Sequence, residues 1–288
     1  MNIKSFAKIN LGLEVIGKRE DGYHEVRTLL QTVSLHDTLE FRRVSEDRII
    51  LSGDDQTISW GRNNLIFRAA FLLKERFRVS GGMEIRVTKM IPAGKGLGGG
   101  SSNAAMTLYA LNEIWGLGLE KKVLIDLGKT LGVDVPFFFE GGLCLGTGRG
   151  DDVAPVNELE PLFCLLVLPE ISISTASVYG QLQFSLTSHG KDSKIIKFLD
   201  SRELGSLENE LEETVFRLYP QLSEIKSLFR SHGPELSLVS GTGAAVFGLF
   251  SEKVKAEKVL QKLEQSYASL LVELLPRERY RKNLGSGV

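Results

Sequence analysis

The chain has 288 residues, and its 35 lysines and arginines nearly balance its 36 aspartates and glutamates, which gives a net charge of −1. A protein this close to neutral has no bulk charge with which to attract nucleic acid or an anionic membrane. The hydrophobic fraction of 42% and the charged fraction of 25% are typical of globular proteins and exclude disorder as the dominant state. The composition leaves a small partner or a local binding site.

No segment of the sequence predicts a membrane span or a secretion signal. The longest apolar stretch, 162–168, is far shorter than the ~20 residues that cross a bilayer. Lys4 and Lys8 are charged residues in the region where a signal peptide has its apolar core. We therefore expect a cytoplasmic protein.

The cysteines and histidines predict neither a disulfide nor a metal site. Cys144 and Cys164 lie in apolar runs without C-x-x-C spacing, which predicts buried, reduced thiols. The four histidines lack the i, i+3 or i, i+4 spacing that places two zinc ligands on one face of a helix. We predict no bound metal of this kind.

The first half of the chain predicts a sheet followed by helices. Alternating apolar residues predict strands over 3–17, 26–44 and 49–51. Apolar residues at i, i+3, i+4 and i+7 predict a helix over 64–77 with Asn64 as its N-cap. The elements that follow are a strand over 83–90, a helix from about 101, a helix over 119–131 with Gly132 as a left-handed residue after its end, and a buried strand over 137–145.

The second half predicts alternating strands and helices. We place a domain boundary in the turn-rich segment 146–152, which divides the chain into domains 1–152 and 153–288. The predicted elements are a strand over 163–168, a helix over 177–182, a polar loop over 184–191, helices over 193–200, 207–218 and 220–231, a strand pair within 236–250, a helix over 252–265 and a strand over 268–275. This pattern favours an α+β architecture, with the basic segment 277–282 as a solvated end.

A glycine cluster stands between the 83–90 strand and the next helix, with five glycines within 94–100. Because glycine has no Cβ, the amides of such a loop can converge on an anion, and the helix start adds unpaired N–H groups. We predict a phosphate-binding loop, with a flexible linker as the alternative. The residues assigned to it are Pro92, Ala93, Gly94, Lys95, Gly96, Leu97, Gly98, Gly99, Gly100, Ser101 and Ser102.

The loop does not fit the two most familiar nucleotide-binding patterns. The segment 94–99 matches G-x-G-x-x-G, but the acidic residues about 20 positions later, Glu113 and Glu120, lie on predicted helices. The Walker A pattern is absent because glycine, rather than serine or threonine, follows Lys95. Another kind of phosphate loop is indicated.

The segment 92–104 resembles the phosphate loop of the GHMP kinase superfamily, which includes galactokinase, homoserine kinase and mevalonate kinase. The segments 7–11, Ala-Lys-Ile-Asn-Leu, and 239–247 are similar to its other motifs, so the resemblance spans most of the chain. It implies an α+β, two-domain GHMP kinase fold, with a ribosomal protein S5 domain 2-like N-terminal domain and a ferredoxin-like C-terminal domain. It also implies an enzyme that uses ATP, with Mg²⁺ as a companion of the substrate rather than an ion held by the protein.

Within the superfamily, the segments 7–11 and 21–25 resemble the branch that phosphorylates a cytidine-diphosphate sugar alcohol in the non-mevalonate isoprenoid route. The segment 132–136 resembles the G-A-D-V-P motif of that branch, with Val133 in place of alanine. One alternative is another superfamily kinase or the related mevalonate-diphosphate decarboxylase, whose substrate has no base to stack. A nucleotide-binding sensor that has lost catalysis is the alternative from a different class.

The resemblance implies that Lys8 and Asp134 form a catalytic pair. Phosphoryl transfer needs a route for the proton of the attacking hydroxyl, and Asp134 is the candidate that takes it. Lys8 would stabilise that carboxylate and lower the effective pKa of the hydroxyl. Without the resemblance, Lys8 is a solvated strand lysine and Asp134 caps a helix or a turn.

The resemblance also implies a set of substrate-binding side chains. Tyr23 offers a plane for stacking on cytosine, and His24 offers a ring nitrogen for its edge. Thr175 and Tyr179 align with the segment that closes over the substrate from the second domain, and Asn10 completes the set. From sequence alone, Tyr23 is a packing residue of a hairpin and His24 a surface residue.

Two further features belong to the predicted nucleotide site. Ser101 and Ser102 are candidates to meet phosphate oxygens or Mg²⁺, although an N-cap role would explain one of them. The segment 241–243, Gly-Thr-Gly, is predicted to form a second turn beside the phosphate loop. A plain hairpin turn is the alternative for this segment.

Overall fold

The computed structural model describes residues 1–182 and 193–284, and the predicted polar loop over 184–191 lies outside them. The elements in chain order are β1 Asn2–Lys18, β2 His24–Val44, β3 Ile49–Gly53, α1 Leu65–Arg76, β4 Gly82–Thr88, α2 Gly99–Trp115, α3 Lys121–Leu131, α4 Phe137–Glu140, β5 Leu143–Thr147, β6 Asp152–Pro155, β7 Phe163–Val167, α5 Thr175–Gly180, α6 Lys194–Ser201, a 3-10 turn Leu204–Ser206, α7 Glu212–Leu218, α8 Pro220–Arg230, β8 Leu236–Val239, β9 Val246–Phe250, α9 Lys253–Leu263, β10 Ser269–Glu273 and α10 Arg277–Asn283. None of the described helices has both the length and the apolar character that crossing a membrane requires.

The N-terminal half contains a six-stranded sheet. β1 and β2 are antiparallel over most of their length, from Asn2 opposite Glu40 to Lys18 opposite His24. β2 also pairs with β4 and β5, while β3 is the parallel neighbour of β4 and β6 pairs with β5. Helices α1, α2 and α3 bury their apolar residues against this sheet in one core. Representative members of that core are Ile3, Leu39, Leu73, Ile85, Leu108 and Leu124.

The second sheet has four antiparallel strands in the order β10-β7-β9-β8. Successive residues of a strand point to opposite faces, and β7 shows this clearly. Cys164 and Leu166 enter a core shared with β1, whereas Leu165 and Val167 enter the core beneath α8 and α9. The residues of β1 in the shared core are Ala7, Ile9 and Leu11. The two sheets are therefore joined by apolar packing at β1.

Most of the predicted elements are present. Asn64 is the N-cap of α1, and its side chain accepts a hydrogen bond of 3.0 Å from the Ile66 amide. Cys144 and Cys164 are both buried and free, as predicted. Burial raises the pKa of the Cys144 thiol to about 11, so this thiol is not a nucleophile at neutral pH.

The predicted strand over 137–145 is wrong in its first half. Residues 137–140 form the short helix α4, and the strand β5 begins only at Leu143. Gly141 and Gly142 both have positive φ and turn the chain between the two elements. Phe137 and Phe138 are both fully buried. A continuous apolar run does not distinguish a buried helix from a buried strand, which explains the error.

Three further expectations were wrong. Gly132 is extended, with φ of 179°, rather than left-handed. α7 begins at Glu212 instead of 207, because residues 208–210 pair with Leu13 of β1. The basic segment 277–282 is not a solvated end but lies in α10, which buries Tyr280 in the first core and donates from Arg277 to the Leu143 carbonyl at 2.6 Å.

The first sheet continues past the predicted domain boundary at residue 152. β6 pairs with β5 from Asp152 opposite Thr147 to Pro155 opposite Cys144. A division at 152 would therefore pass through the start of a strand of the first sheet. The division of the chain into domains 1–152 and 153–288 stays a prediction.

Candidate active site

The glycine loop connects β4 to α2 and lines a cleft of about 440 Å³. Gly94, Gly96 and Gly98 have φ of 68°, 73° and 70°, a conformation that side chains rarely adopt. A Cβ on Gly98 would lie 2.9 Å from both Lys8 Cγ and Phe138 Cζ. The loop therefore needs glycine for its backbone shape and for its close approach to Lys8.

Hydrogen bonds from both halves of the protein fix the loop. The Lys8 amide donates to the Leu97 carbonyl at 2.9 Å, and the Ala245 amide donates to the Lys95 carbonyl at 3.1 Å. The Ser240 hydroxyl donates to the Gly96 carbonyl at 3.0 Å. The segment 240–245 thus lies beside the phosphate loop, as predicted for the Gly-Thr-Gly turn.

Lys8 and Asp134 meet next to this loop, although they lie far apart in the sequence. Lys8 Nζ is 3.6 Å from Asp134 Oδ2, with the lysine side chain 4% exposed and the aspartate 32% exposed. Lys8 Nζ donates to Asn10 Oδ1 at 2.6 Å, and Asn10 Nδ2 donates to Thr28 Oγ1 at 2.9 Å. The lysine is therefore held in place within the protein, while the carboxylate is open to a ligand.

Tyr23 lies directly before β2 and is 51% exposed. The guanidinium of Arg149 lies 5.0 Å from the centre of the Tyr23 ring, and Arg149 Nε donates to Asp151 Oδ2 at 3.1 Å. The sequence around Arg149 predicts only a turn. Its position over Tyr23 follows from the pairing of β2 with β5, which no local pattern encodes.

His24 and Tyr179 also come together, from opposite halves of the chain. Their ring centres are 5.0 Å apart and the planes are inclined by 26°. Burial lowers the pKa of the His24 imidazole, helped by the charge of Lys18, and burial raises the pKa of the Tyr179 phenol. Thr175 Oγ1 lies 3.1 Å from Thr242 Oγ1, which ties the start of α5 to the turn beside the loop.

Two side chains of the predicted nucleotide-binding segment form hydrogen bonds within the protein. Ser102 is fully buried, and its hydroxyl accepts from the Ser5 hydroxyl at 2.7 Å. Lys95 Nζ donates to the carbonyls of Pro169 and Ile171, both at 2.7 Å. Ser102 does not line the cleft, so the expected contact of its hydroxyl with phosphate is not supported, whereas Lys95 and Ser101 both line the cleft. Neither serine is the N-cap of α2, since that residue is Gly98.

The wall of the cleft facing the glycine loop was missed by the sequence analysis. It is formed by Ile58, Ser59, Trp60, Asn63, Asn64 and Leu65. These residues lie in and after the loop that precedes α1, where Asn64 was recognised only as an N-cap. Trp60 and the asparagines give no motif, so only the fold could place them here.

The arrangement suits transfer of a phosphoryl group. The loop offers main-chain N–H groups at the start of a long helix, where an anion is stabilised. At one end of the loop, Lys8 and Asp134 provide a cation and a proton acceptor. Across residues 1–182 and 193–284, no three His, Cys, Asp or Glu side chains are grouped to hold a metal ion.

Comparison with known proteins gives the same class. Residues 64–142 match the family model of the GHMP kinases N terminal domain, and residues 195–269 match that of the GHMP kinases C terminal. The chain is 38% identical, over 94% of its length and 96% of the other protein, to a 4-diphosphocytidyl-2-C-methyl-D-erythritol kinase of Bacillus cereus strain B4264. A protein of that name from Bacillus anthracis is 37% identical over the same shares of the two chains.

Solved structures agree with the sequence relatives. A crystal structure of 4-(cytidine 5'-diphospho)-2C-methyl-D-erythritol kinase has a TM-score of 0.81 and 35% identity, over 95% of this chain and 99% of that one. Homoserine kinase from Cytophaga hutchinsonii, with a TM-score of 0.75 and 18% identity, shares the fold. The fold and the glycine loop thus define a two-domain GHMP kinase, as the resemblance implied. The chain belongs to the 4-diphosphocytidyl-2-C-methyl-D-erythritol kinase family of the GHMP kinases.

Proposed function

We propose that the chain transfers the γ-phosphoryl group of ATP to the 2-hydroxyl of 4-diphosphocytidyl-2-C-methyl-D-erythritol. The observation that carries this proposal is the Lys8–Asp134 pair, with 3.6 Å between its charged atoms, at the end of a glycine loop. A sensor that only binds a nucleotide has no need of this pair. The name shared by the relatives identifies the alcohol.

In the proposed reaction, Asp134 Oδ2 accepts the proton of the substrate hydroxyl. The hydroxyl oxygen then forms a bond to the γ-phosphorus while the bond from that phosphorus to the β–γ bridging oxygen breaks, and ADP leaves. Lys8 orients the carboxylate and offsets negative charge that develops on the attacking oxygen. Asn10 Oδ1 accepts a hydrogen bond from Lys8 Nζ at 2.6 Å, which holds the ammonium in place for this role.

We further propose Mg²⁺ as the companion of ATP. The lining of the cleft contains no aspartate or glutamate among the described residues, so the ion would be held chiefly by phosphate oxygens and water, as Mg²⁺ commonly is. Ser101, which lines the cleft, is the residue that would contact it. When bound, the ion neutralises charge on the phosphates.

The cytosine is proposed to bind among Tyr23, His24 and Tyr179. The exposed ring of Tyr23 offers a stacking face, and the stacked pair of His24 and Tyr179 lies at the same end of β2. Thr175 and Asn10 are the remaining proposed substrate contacts. Both are near the phosphate loop: Thr175 contacts Thr242, and Asn10 contacts Lys8.

The test is a coupled assay of ADP release with three alcohols in parallel. We expect ATP consumption that depends on the cytidine sugar alcohol, with little on mevalonate or homoserine. Faster ADP release with mevalonate or homoserine would show that the proposed substrate is wrong. ATP binding without turnover on any alcohol would favour the sensor.

A further inference from the structure

A fully buried carboxylate lies beneath the phosphate loop and takes no part in the chemistry described above. Asp37 has 0% exposure, and all its acceptor capacity is used within the protein. Oδ1 accepts from the amides of Met90 and Ile91, both at 2.8 Å. Oδ2 accepts from Lys89 Nζ and, at 2.9 Å, from Asn103 Nδ2. Burying a charge costs free energy unless it is paired and hydrogen-bonded in this way.

These partners stand on both sides of the phosphate loop. The ladder between β2 and β4 ends at the pair of Thr38 and Thr88, just before the chain leaves the sheet. Beyond that point, the amides of residues 90 and 91 have no strand partner in the ladder, and Asp37 accepts from them instead. Asn103 lies in the first two turns of α2, directly after the loop.

Lys89 strengthens the same connection. Its side chain is 7% exposed, and its ammonium pairs with Asp37 and donates to Asn103 Oδ1 at 3.3 Å. A Cβ added to Gly99 would lie 3.4 Å from Lys89 Nζ, so the ammonium lies beside the first residue of α2. Lys89 also lines the cleft.

We propose that Asp37, Lys89 and Asn103, hereafter the anchor cluster, are positioning residues that hold the two ends of the phosphate loop at the separation needed to bind the phosphates of the nucleotide. The inference rests on the proposed binding of ATP in this cleft. Phosphate binding by main-chain amides depends on their fixed directions, since a preorganised donor needs no rearrangement when the anion arrives. The anchor cluster acts through the loop, and its central residue, Asp37, is fully buried and does not line the cleft.

The test compares the affinities of ADP and adenosine for the folded protein by calorimetric titration. Asp37→Asn keeps the size of the side chain but presents N–H groups to the Lys89 ammonium. We expect ADP to bind at least ~10-fold more weakly while adenosine changes less than ~2-fold, because only ADP uses the loop. In steady-state assays, the KM for ATP should rise and the KM for the alcohol should stay within ~2-fold.

Lys89→Met provides the same test if Asp37→Asn does not fold. Lys89→Arg keeps the positive charge and should bind ADP more tightly than Lys89→Met does. The matched control is Lys74→Met, because Lys74 pairs with Asp47 and donates to the carbonyls of Val79 and Gly81 away from the cleft. Its ratio of ADP to adenosine affinity should be that of the wild type. Equal losses for ADP and adenosine, or no loss for either, would overturn the proposal. A wild type that binds ADP but phosphorylates no alcohol would refute only the proposed function.

Discussion

The proposed site has two ends that are built from different parts of the chain. The nucleotide end consists of main chain, glycines and the anchor cluster, in which Asp37 is 0% exposed. The proposed base end consists of side chains outside the lining of the cleft, and Tyr23 is 51% exposed. Fixed amides suit phosphate, which is always charged, whereas aromatic rings suit a flat base. We therefore expect backbone shape to control nucleotide binding and single side chains to control substrate binding.

The largest effect is expected where the two ends meet. Asp134→Asn should reduce turnover by roughly 10² to 10⁴ because the hydroxyl loses its proton acceptor, while ADP affinity stays near the wild-type value. Steady-state kinetics and an ADP titration measure the two quantities. Asp126→Asn is the control, because it makes the same charge change at an exposed position of α3. Near-normal turnover of Asp134→Asn would remove the proposed base.

At the nucleotide end, Gly98→Ala should destabilise the protein and raise the KM for ATP. The left-handed backbone costs about 1 to 2 kcal/mol and the overpacking against Lys8 and Phe138 about 1 to 3 kcal/mol. Gly118→Ala is the matched control, since its φ is 62° but nothing lies within 4 Å of the added Cβ. Urea unfolding and ATP kinetics of both variants test this. If the two variants have the same free energy of unfolding and the same KM for ATP, the close approach of Gly98 to Lys8 and Phe138 has no effect.

At the base end, Tyr23→Ala should raise the KM for the cytidine substrate through the loss of ~1 to 3 kcal/mol of stacking. The KM for ATP should change little, because the phosphate loop is untouched. Phe71→Ala removes a ring of similar exposure, 48%, outside the cleft and is the control. Equal increases in both KM values would contradict the division of the proposed site into two ends.

The smallest expected effect concerns His24. Because burial lowers the pKa of His24 in the folded protein, the unfolded chain binds a proton first as the pH falls below about 6.5. The stabilisation linked to neutral His24 is therefore present above this pH and is lost as the pH falls through the folded pKa. Unfolding of the wild type and His24→Gln, measured between about pH 5 and 7.5, should show a steeper decline for the wild type. Parallel curves would exclude this linkage.

Local patterns predicted the elements that depend on neighbouring residues. α1 and its cap at Asn64 follow from apolar spacing and a side-chain acceptor, and the glycine loop before α2 follows from composition. The pattern failed at α4, where an apolar run fits either kind of element, and at α10, where a single buried aromatic, Tyr280, is hidden among charges.

The site was predictable only in part, and the reason is distance along the chain. Lys8 and Asp134 were paired by resemblance to a family and not by any spacing between them. Arg149 over Tyr23 was not predicted, because it depends on the register of β2 and β5. The anchor cluster was missed for the same reason, since Asp37 appears in the sequence as one more charged residue of a strand.

By itself, the sequence determined a globular chain with a loop able to bind phosphate before a helix, because glycine content and apolar spacing act over a few residues. Only the tertiary structure decided which side chains meet at that loop and which are turned away. Ser102 is an example of the second kind, since its hydroxyl bonds to Ser5 and it does not line the cleft. Which side chains face the loop depends on strand pairing and on burial. Both involve residues that are far apart in the sequence.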